Sequence, residues 1–257
     1  MELKGKNVIY SGGFGGIGQA CIKEILNSGA KHMTIFDLVE NKEAMIGFKK
    51  SYPGATIDFI PFDMRKKETI TAAFKTAKAK MGHFDVLVNS CGIMMDSEVD
   101  LTIQINLMGL IHSNLAALPY MDKSSGGRGG VIVNISSVAC LEPPPLYPIY
   151  SASKDGVKAF TRSMADQVYY DRFGVNFITI CPGITDTPMS EGFYTRVFFK
   201  FVEEKAQALA KAKQQPVDVL AKNIIKVMET GKNGGVYMLN LGNIEEITFP
   251  KFWEATF

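Results

Sequence analysis

The stretch Asn7-Val-Ile-Tyr-Ser-Gly-Gly-Phe-Gly-Gly-Ile-Gly18 decides how this chain folds. Its first five residues are an apolar run of strand length, glycines interrupt it, and apolar residues then recur at Ile17, Ala20, Ile22, Ile25 and Leu26 with helical spacing, up to Gly29. Strand, glycine loop and helix in that order make an anion cradle. Glycines let the backbone turn sharply and approach a pyrophosphate, whose charge is stabilised by the unpaired N–H groups and the dipole at the helix N-terminus. The residues expected to face it are Gly12, Phe14, Gly16, Ile17 and Gly18. A second apolar run, Met33-Thr-Ile-Phe36, ends in Asp37, nineteen positions past Gly18, where an acidic side chain binds ribose hydroxyls. The spacing of Gly12, Gly16 and Gly18 is G-x-x-x-G-x-G and departs from G-x-G-x-x-G. Loop and acid together point to a dinucleotide. NAD is expected in preference to NADP, because a carboxylate repels a 2′-phosphate and neither Phe36 nor Leu38 supplies a positive charge.

Outward from this unit the alternation continues. Helices are expected at 41–50, 66–80, 100–118, in the segment around Tyr150, at 197–211 and at 217–228; strands are expected at 56–61, 84–89, 131–135, 175–180 and 235–240. With the first two strands this makes seven. Such alternation requires right-handed crossovers and a parallel sheet covered on both faces. The expected fold is therefore α/β, a single doubly wound Rossmann-type domain spanning 1–257, with a seven-stranded parallel sheet.

The chemistry gathers in Asn134-Ile-Ser-Ser137 and Tyr150-Ser-Ala-Ser-Lys154. Tyr150 and Lys154 lie one helical turn apart on one face, so the ammonium favours the ionised phenol and Tyr150 becomes a candidate acid/base. Ser137 follows a buried strand and is placed to hold a substrate oxygen. A Tyr-x-x-x-Lys pair is also an ordinary amphipathic pattern; the glycine loop far upstream is the independent sign that selects the functional reading.

Composition narrows the partners. The chain has 257 residues, 46% of them hydrophobic, with 28 basic and 26 acidic side chains and a net charge of +2. That permits a full core and offers no polybasic block for nucleic acid or an anionic membrane. The polar N-terminus and short apolar runs lead to the expectation of no signal peptide, no membrane span and a cytoplasmic protein. Cys21, Cys91, Cys140 and Cys181 are far apart and His32, His83 and His112 lack ligand spacing, so neither a metal site nor a disulfide framework is expected. Cys91 and Cys140 stand at strand ends near the candidate site, without the marks of a nucleophile.

On these residues the chain resembles the short-chain dehydrogenase/reductase family, and within it the insect-type alcohol dehydrogenases. The likeness rests on Gly12, Gly16 and Gly18, on Asp37 and Asp63, on Asn89-Ser-Cys-Gly92, Asn106, Ser137, Tyr150 and Lys154, and on Cys181-Pro-Gly-Ile-Thr185. The segment Leu239-Asn-Leu-Gly-Asn-Ile-Glu-Glu-Ile247 and the terminal Phe252-Trp253 carry the closer likeness. Ser11 and Ser90-Cys91 depart from the family's usual Thr and Asn-Ala, and all three stay small. The resemblance implies a catalytic tetrad of Asn106, Ser137, Tyr150 and Lys154, with Asn106 supporting a water beside the lysine. It implies coenzyme contacts from Asp63 beside the adenine, from Asn89 and Gly92, and from Pro182, Gly183 and Thr185 beside the nicotinamide. Asp63 also reads as a helix cap. The segment of about 185–215 is expected to cover the substrate, with Met94, Met95, Leu141 and Tyr147 completing an apolar cavity. Its aromatic stretch Phe193–Phe201 reads equally well as an amphipathic helix packed on the core. The implied activity is NAD-dependent oxidation of an alcohol, a secondary one first of all, to a ketone or aldehyde. Two other readings stay open: a larger lipid, isoprenoid, prostaglandin-like or steroid alcohol as substrate, and a non-catalytic dinucleotide-binding storage or regulatory protein. A homodimer is implied through helices near 106–118 and 151–169, where Gly109, Ala116, Gly156 and Ala159 would allow close approach.

Overall fold

The computed structural model describes residues 1–209 and 211–250. Four strand–helix pairs and a fifth strand open the chain: β1 (Asn7–Ser11), α1 (Gly16–Asn27), β2 (His32–Asp37), α2 (Lys42–Ser51), β3 (Thr56–Pro61), α3 (Lys67–Met81), β4 (Val86–Asn89), a long helix over 99–121 and β5 (Gly130–Ile135). There follow α6 (Pro148–Met164), α7 (Gln167–Phe173), β6 (Val175–Pro182), α8 (Glu203–Leu209), α9 (Val217–Thr230), β7 (Val236–Asn240) and β8 (Asn243–Glu246). The long helix comprises α4 (Val99–Ile103), a π-helical turn Gln104–Gly109 and α5 (Leu110–Met121).

The sheet order is β3-β2-β1-β4-β5-β6-β7-β8, parallel throughout except for the antiparallel pair β7–β8. Side-chain alternation explains why β1 is buried at every position. Val8 and Tyr10 enter the core under α1, α2 and α9, whereas Ile9 enters the core under α3, α5 and α6. The chain runs outward through β2 and β3 on one side of β1 and through β4 to β7 on the other. A crevice therefore opens beyond the strand ends at Ser11 and Asn89, where ligands of such sheets bind.

Four boundaries differ from the sequence expectation. The sheet has eight strands because Leu241-Gly242, both at positive φ (49° and 87°), turn the chain back as a two-residue hairpin. Asn243–Glu246 then closes the edge with polar side chains, so no hydrophobic run announces it. The helix expected over 151–169 breaks at Ala165, and Asp166 caps α7 by accepting the Val168 N–H at 3.0 Å. The helix expected over 197–211 begins at Glu203, after 3₁₀ turns at Phe193–Arg196 and Lys200–Val202. Finally, Val99–Met121 is long and apolar enough to cross a membrane by length and composition, contrary to the expectation of short runs only; here Leu110, Ala117, Leu118 and Met121 pack into the core with α3 and α6. Phe252 and Trp253 lie outside the described residues.

Candidate active site

The glycine loop is built to be close and open at once. Gly12 takes a left-handed φ of 73°, and a Cβ there would meet the Cys91 backbone nitrogen at 2.9 Å. A Cβ on Gly18 would meet the backbone of Gly12 and Gly13. Gly15 stands at the N-cap of α1 and offers no side chain to the first-turn N–H groups, which are left for a ligand. The Thr187 and Pro188 side chains reach over Gly16 from the far side. Asp37 projects from the end of β2 and accepts the Phe14 N–H at 2.9 Å and the Leu38 N–H at 2.8 Å. These features fit a nicotinamide dinucleotide: an uncapped helix start for the pyrophosphate and, on the same cavity, a carboxylate for the ribose hydroxyls.

A cavity of about 850 Å³ connects this cradle to the chemistry. It is lined by Gly12, Phe14, Gly16, Ile17, Gly18, Asp37, Asp63, Gly92, Ser137, Tyr150, Lys154, Pro182, Gly183 and Thr185. Two expected site residues are not on its wall. Asn89 is fully buried, and its amide is committed to Asn134 (2.9 Å) and Ser113 (2.6 Å), in a network that continues to Asn114 and Thr161. Its side chain therefore ties β4 to β5 and α5 and does not reach the coenzyme crevice. Asn106 sits in the π-helical turn, a distortion that re-aims a side chain. Its amide brackets Ile93, accepting the N–H and donating to the carbonyl at 2.8 Å each, and donates to Ser153 at 3.1 Å. It stands beside the lysine all the same: a Cβ on Gly92 would lie 3.1 Å from Lys154 Nζ and 3.3 Å from Asn106 Oδ1.

The face expected to carry the chemistry comes from the end of β5 and from α6. Ser137 leaves β5 in extended conformation and its hydroxyl accepts the Ala139 N–H at 3.2 Å. Lys154 is buried and donates to the Ile135 carbonyl at 3.1 Å, with Nζ 5.8 Å from the centre of the Tyr150 ring. The Ser136 hydroxyl donates to the Lys154 carbonyl at 2.7 Å and fastens helix to strand. Burial pushes the Tyr150 phenol up to about 12, opposed by the hydrogen bond from Ser137, and pushes the Lys154 ammonium down to about 8. The sequence expectation that the ammonium one turn away favours the ionised phenol meets an opposing effect, since desolvation of the buried ring is the largest influence on Tyr150.

The remaining expectations separate cleanly. Asp63 does not cap α3; its carboxylate accepts Arg65 Nε at 2.8 Å and Nη2 at 2.7 Å, and both residues line the cavity. Thr185 donates to the Gly183 carbonyl at 2.9 Å and accepts from Gln215 Nε2 at 3.2 Å. Gln215, which sequence reasoning missed, also exchanges backbone hydrogen bonds with Ile184 and Asp186, so it zips together the two ends of the covering segment. Met94, Met95, Tyr147 and Phe193 line the cavity, whereas Leu141 packs instead against Cys140, Cys181 and Val236. Phe198, Phe199 and Phe201 are exposed, with Phe199 edge-on to Phe198 and tilted against Phe201, so the aromatic stretch is not the packed helix that its pattern allowed. Burial pushes the Cys91 thiol up to about 12, an unreactive state. Cys140 and Cys181 meet at 3.5 Å, and the hydrogen bond from Cys181, helped by Lys158, holds the Cys140 thiol down. Among the described residues no three His, Cys, Asp or Glu side chains are grouped to hold a metal ion.

Comparison with known proteins identifies a family and a fold. The family model for short chain dehydrogenases matches residues 6–196. The chain is 38% identical over 257 residues, the whole of both chains, to alcohol dehydrogenase 1 of Ceratitis capitata. Among solved structures it is similar to levodione reductase, with 22% identity, a TM-score of 0.78, and 93% of this chain and 97% of that one covered. It is also similar to 3-ketoacyl-(acyl-carrier-protein) reductase from Brucella melitensis, complexed with NADH, with 22% identity, a TM-score of 0.75, and 93% and 98% covered.

Proposed function

The chain belongs to the short-chain dehydrogenases, oxidoreductases with a Rossmann-like fold, and within that family we propose that it is an NAD-dependent alcohol dehydrogenase with Tyr150 as the general base. The observation that carries the reading is the convergence of Ser137, Tyr150 and Lys154 on one cavity wall, facing the same cavity as the glycine cradle. When bound, the coenzyme supplies a hydride acceptor. Ser137 holds the alcohol oxygen by a hydrogen bond and orients the carbinol carbon. Tyr150, ionised, takes the hydroxyl proton as the C–H bond yields its hydride, leaving a ketone or aldehyde and a protonated phenol. Lys154 adds positive charge beneath the ring and favours the anion. The apolar wall of Met94, Met95, Tyr147 and Phe193 admits the carbon skeleton and excludes water from the reacting carbon.

The preference for NAD rests on Asp37, whose two oxygens each keep a free lone pair for ribose hydroxyls and whose charge repels a 2′-phosphate. Assembly as a homodimer belongs to the same reading. Its support is the exposed apolar pair Met108 and Leu115 on the long helix, 51% and 49% exposed. Gly109 and Gly156, small residues that suggested close approach of a second copy, are instead filled from within the chain by Met64 and Leu107.

Incubation of the protein with a panel of primary, secondary and lipid alcohols, with NAD and with NADP, tests the proposal by the appearance of reduced coenzyme. Turnover of secondary alcohols with NAD is expected. Silence across the panel despite tight NAD binding contradicts it and favours a non-catalytic role.

A further inference from the structure

Helix α6, which carries both Tyr150 and Lys154, begins with Pro148, a residue without an N–H. The first donors of its N-terminal turn are therefore those of Ile149 and Tyr150. The residue at the cap position, Tyr147, makes no capping bond, although a Ser, Thr or Asn there would do so locally. The cap comes instead from far along the chain. The Ile149 N–H donates to Asp96 Oδ2 and the Tyr150 N–H donates to Asp96 Oδ1, each at 2.9 Å. Asp96 has no exposed surface. A buried carboxylate requires such charge-assisted bonds, and a helix N-terminus is where its charge is best tolerated.

The loop that bears Asp96 is itself fixed on both sides. Asn106 brackets Ile93, three residues before it, and the Ser97 N–H donates to the Arg196 carbonyl of the covering segment at 3.1 Å. Asp96 thus connects the cavity wall after β4 to the backbone of residue 150 itself. We propose that Asp96 is a positioning residue for the proton transfer: by holding the N–H of Tyr150 it sets where the phenol stands between Ser137 and Lys154. The proposal rests on the reading of Tyr150 as the base.

The same carboxylate acts on the phenol's charge. The groups facing the ring are Ser137 and Cys140 from the turn after β5, Cys181 from β6, Asp96 from the loop after β4, and Lys154 from its own helix. The Ser137 hydrogen bond favours the phenolate, and Asp96 opposes it, as Cys140 and Cys181 do when ionised; the Lys154 ammonium favours it by its charge. On the Tyr147 phenol, Asp96 and Arg196 act with opposite sign, the carboxylate raising it and the guanidinium lowering it. A residue that only stabilised the helix would not couple position and charge in this way.

Asp96→Asn keeps the shape and one carbonyl acceptor but removes the charge and one of the two bonds. It is expected to lower kcat by about 10- to 100-fold, as a small misplacement of a reacting group does, with an unchanged KM for NAD. The rising limb of the kcat profile is expected to move to lower pH, because a negative charge opposing the phenolate is gone; Asp96→Glu restores the charge and moves the limb back. Amide hydrogen exchange at Ile149 and Tyr150, which needs no activity, should accelerate in Asp96→Asn and in Asp96→Ala. Wild-type kcat with an unmoved limb overturns the proposal. So does a loss of kcat with an unmoved limb and a parallel loss of thermal stability, since that is a purely structural role. Unchanged exchange overturns it as well. If the wild-type protein oxidises no alcohol, the base reading fails, and the exchange measurement alone then decides whether Asp96 holds the turn.

Discussion

A methyl group added at Gly18 separates the packing of the cradle from its openness. In Gly18→Ala the new Cβ would lie 2.8 Å from the Gly13 Cα and carbonyl carbon, with the Gly12 carbonyl oxygen closer still. Ordinary contact begins at 3.4 Å, so α1 and the loop must part by at least 0.6 Å, and every atom in the way is backbone. Such overpacking costs about 1–3 kcal/mol. Taken from coenzyme binding, that is roughly a 5- to 150-fold rise in Kd; taken from stability, it is roughly 2–4 °C of Tm per kcal/mol for a chain of this size. Gly15→Ala is the control. Its Cβ would touch only the Gly12 carbonyl oxygen, at 3.4 Å, and would otherwise stand in the cavity. It should leave the fold within about 0.5 kcal/mol of wild type and still weaken the coenzyme. Calorimetric titration with NAD and urea denaturation of both variants read the two effects separately. Wild-type affinity and stability in Gly18→Ala would refute the close approach of loop and helix.

Asp37→Asn removes the charge that faces the ribose and should raise kcat/KM for NADP relative to NAD; an unmodified protein that prefers NADP contradicts the placement of Asp37. Lys154→Met should abolish turnover yet stabilise the coenzyme-free protein at pH 7. Burial lowers the Lys154 pKa from 10.5 to about 8, so the folded state favours the neutral amine and wild-type stability rises between pH 8 and 10.5, by about 3 kcal/mol. Tyr150, raised from 10.0 to about 12, contributes the opposite slope: stability present below pH 10 and lost as pH climbs toward 12. Urea midpoints at pH 7 and pH 9.5 should show the gain in wild type and a flatter response in Lys154→Met; equal slopes contradict the burial of the ammonium.

The elements that position the site were legible in the sequence because each carries a local signature. The glycines of the first loop, Asp37 at a strand end and the Tyr150–Lys154 pair depend on spacings of a few residues, and the structure brings them to one cavity. Tertiary partners leave no such mark. Asp96 caps a helix more than fifty residues away, and Gln215 supports Thr185 across thirty, so nothing in either neighbourhood announces them. Asn89 shows the converse. Its place in a family motif suggested a coenzyme contact, yet its amide belongs to a buried network whose partners, Asn134 and Ser113, come from other elements. β8 escaped because an edge strand of Asn243-Ile-Glu-Glu246 has no buried face to read; Leu241-Gly242 was the signal that could have revealed its turn.

Replacement of the phenol hydroxyl tests the assignment of the base most directly. Single-turnover and steady-state oxidation of a secondary alcohol would be followed across pH in the wild-type protein and in Tyr150→Phe, with NAD affinity measured for both. Wild-type kcat should rise with pH as the phenol ionises, while Tyr150→Phe binds NAD normally and loses about 10²-fold or more of its turnover at every pH. A Tyr150→Phe protein that keeps more than about a tenth of wild-type turnover, well short of that loss, with the same pH dependence, would contradict the assignment and place the proton acceptor elsewhere.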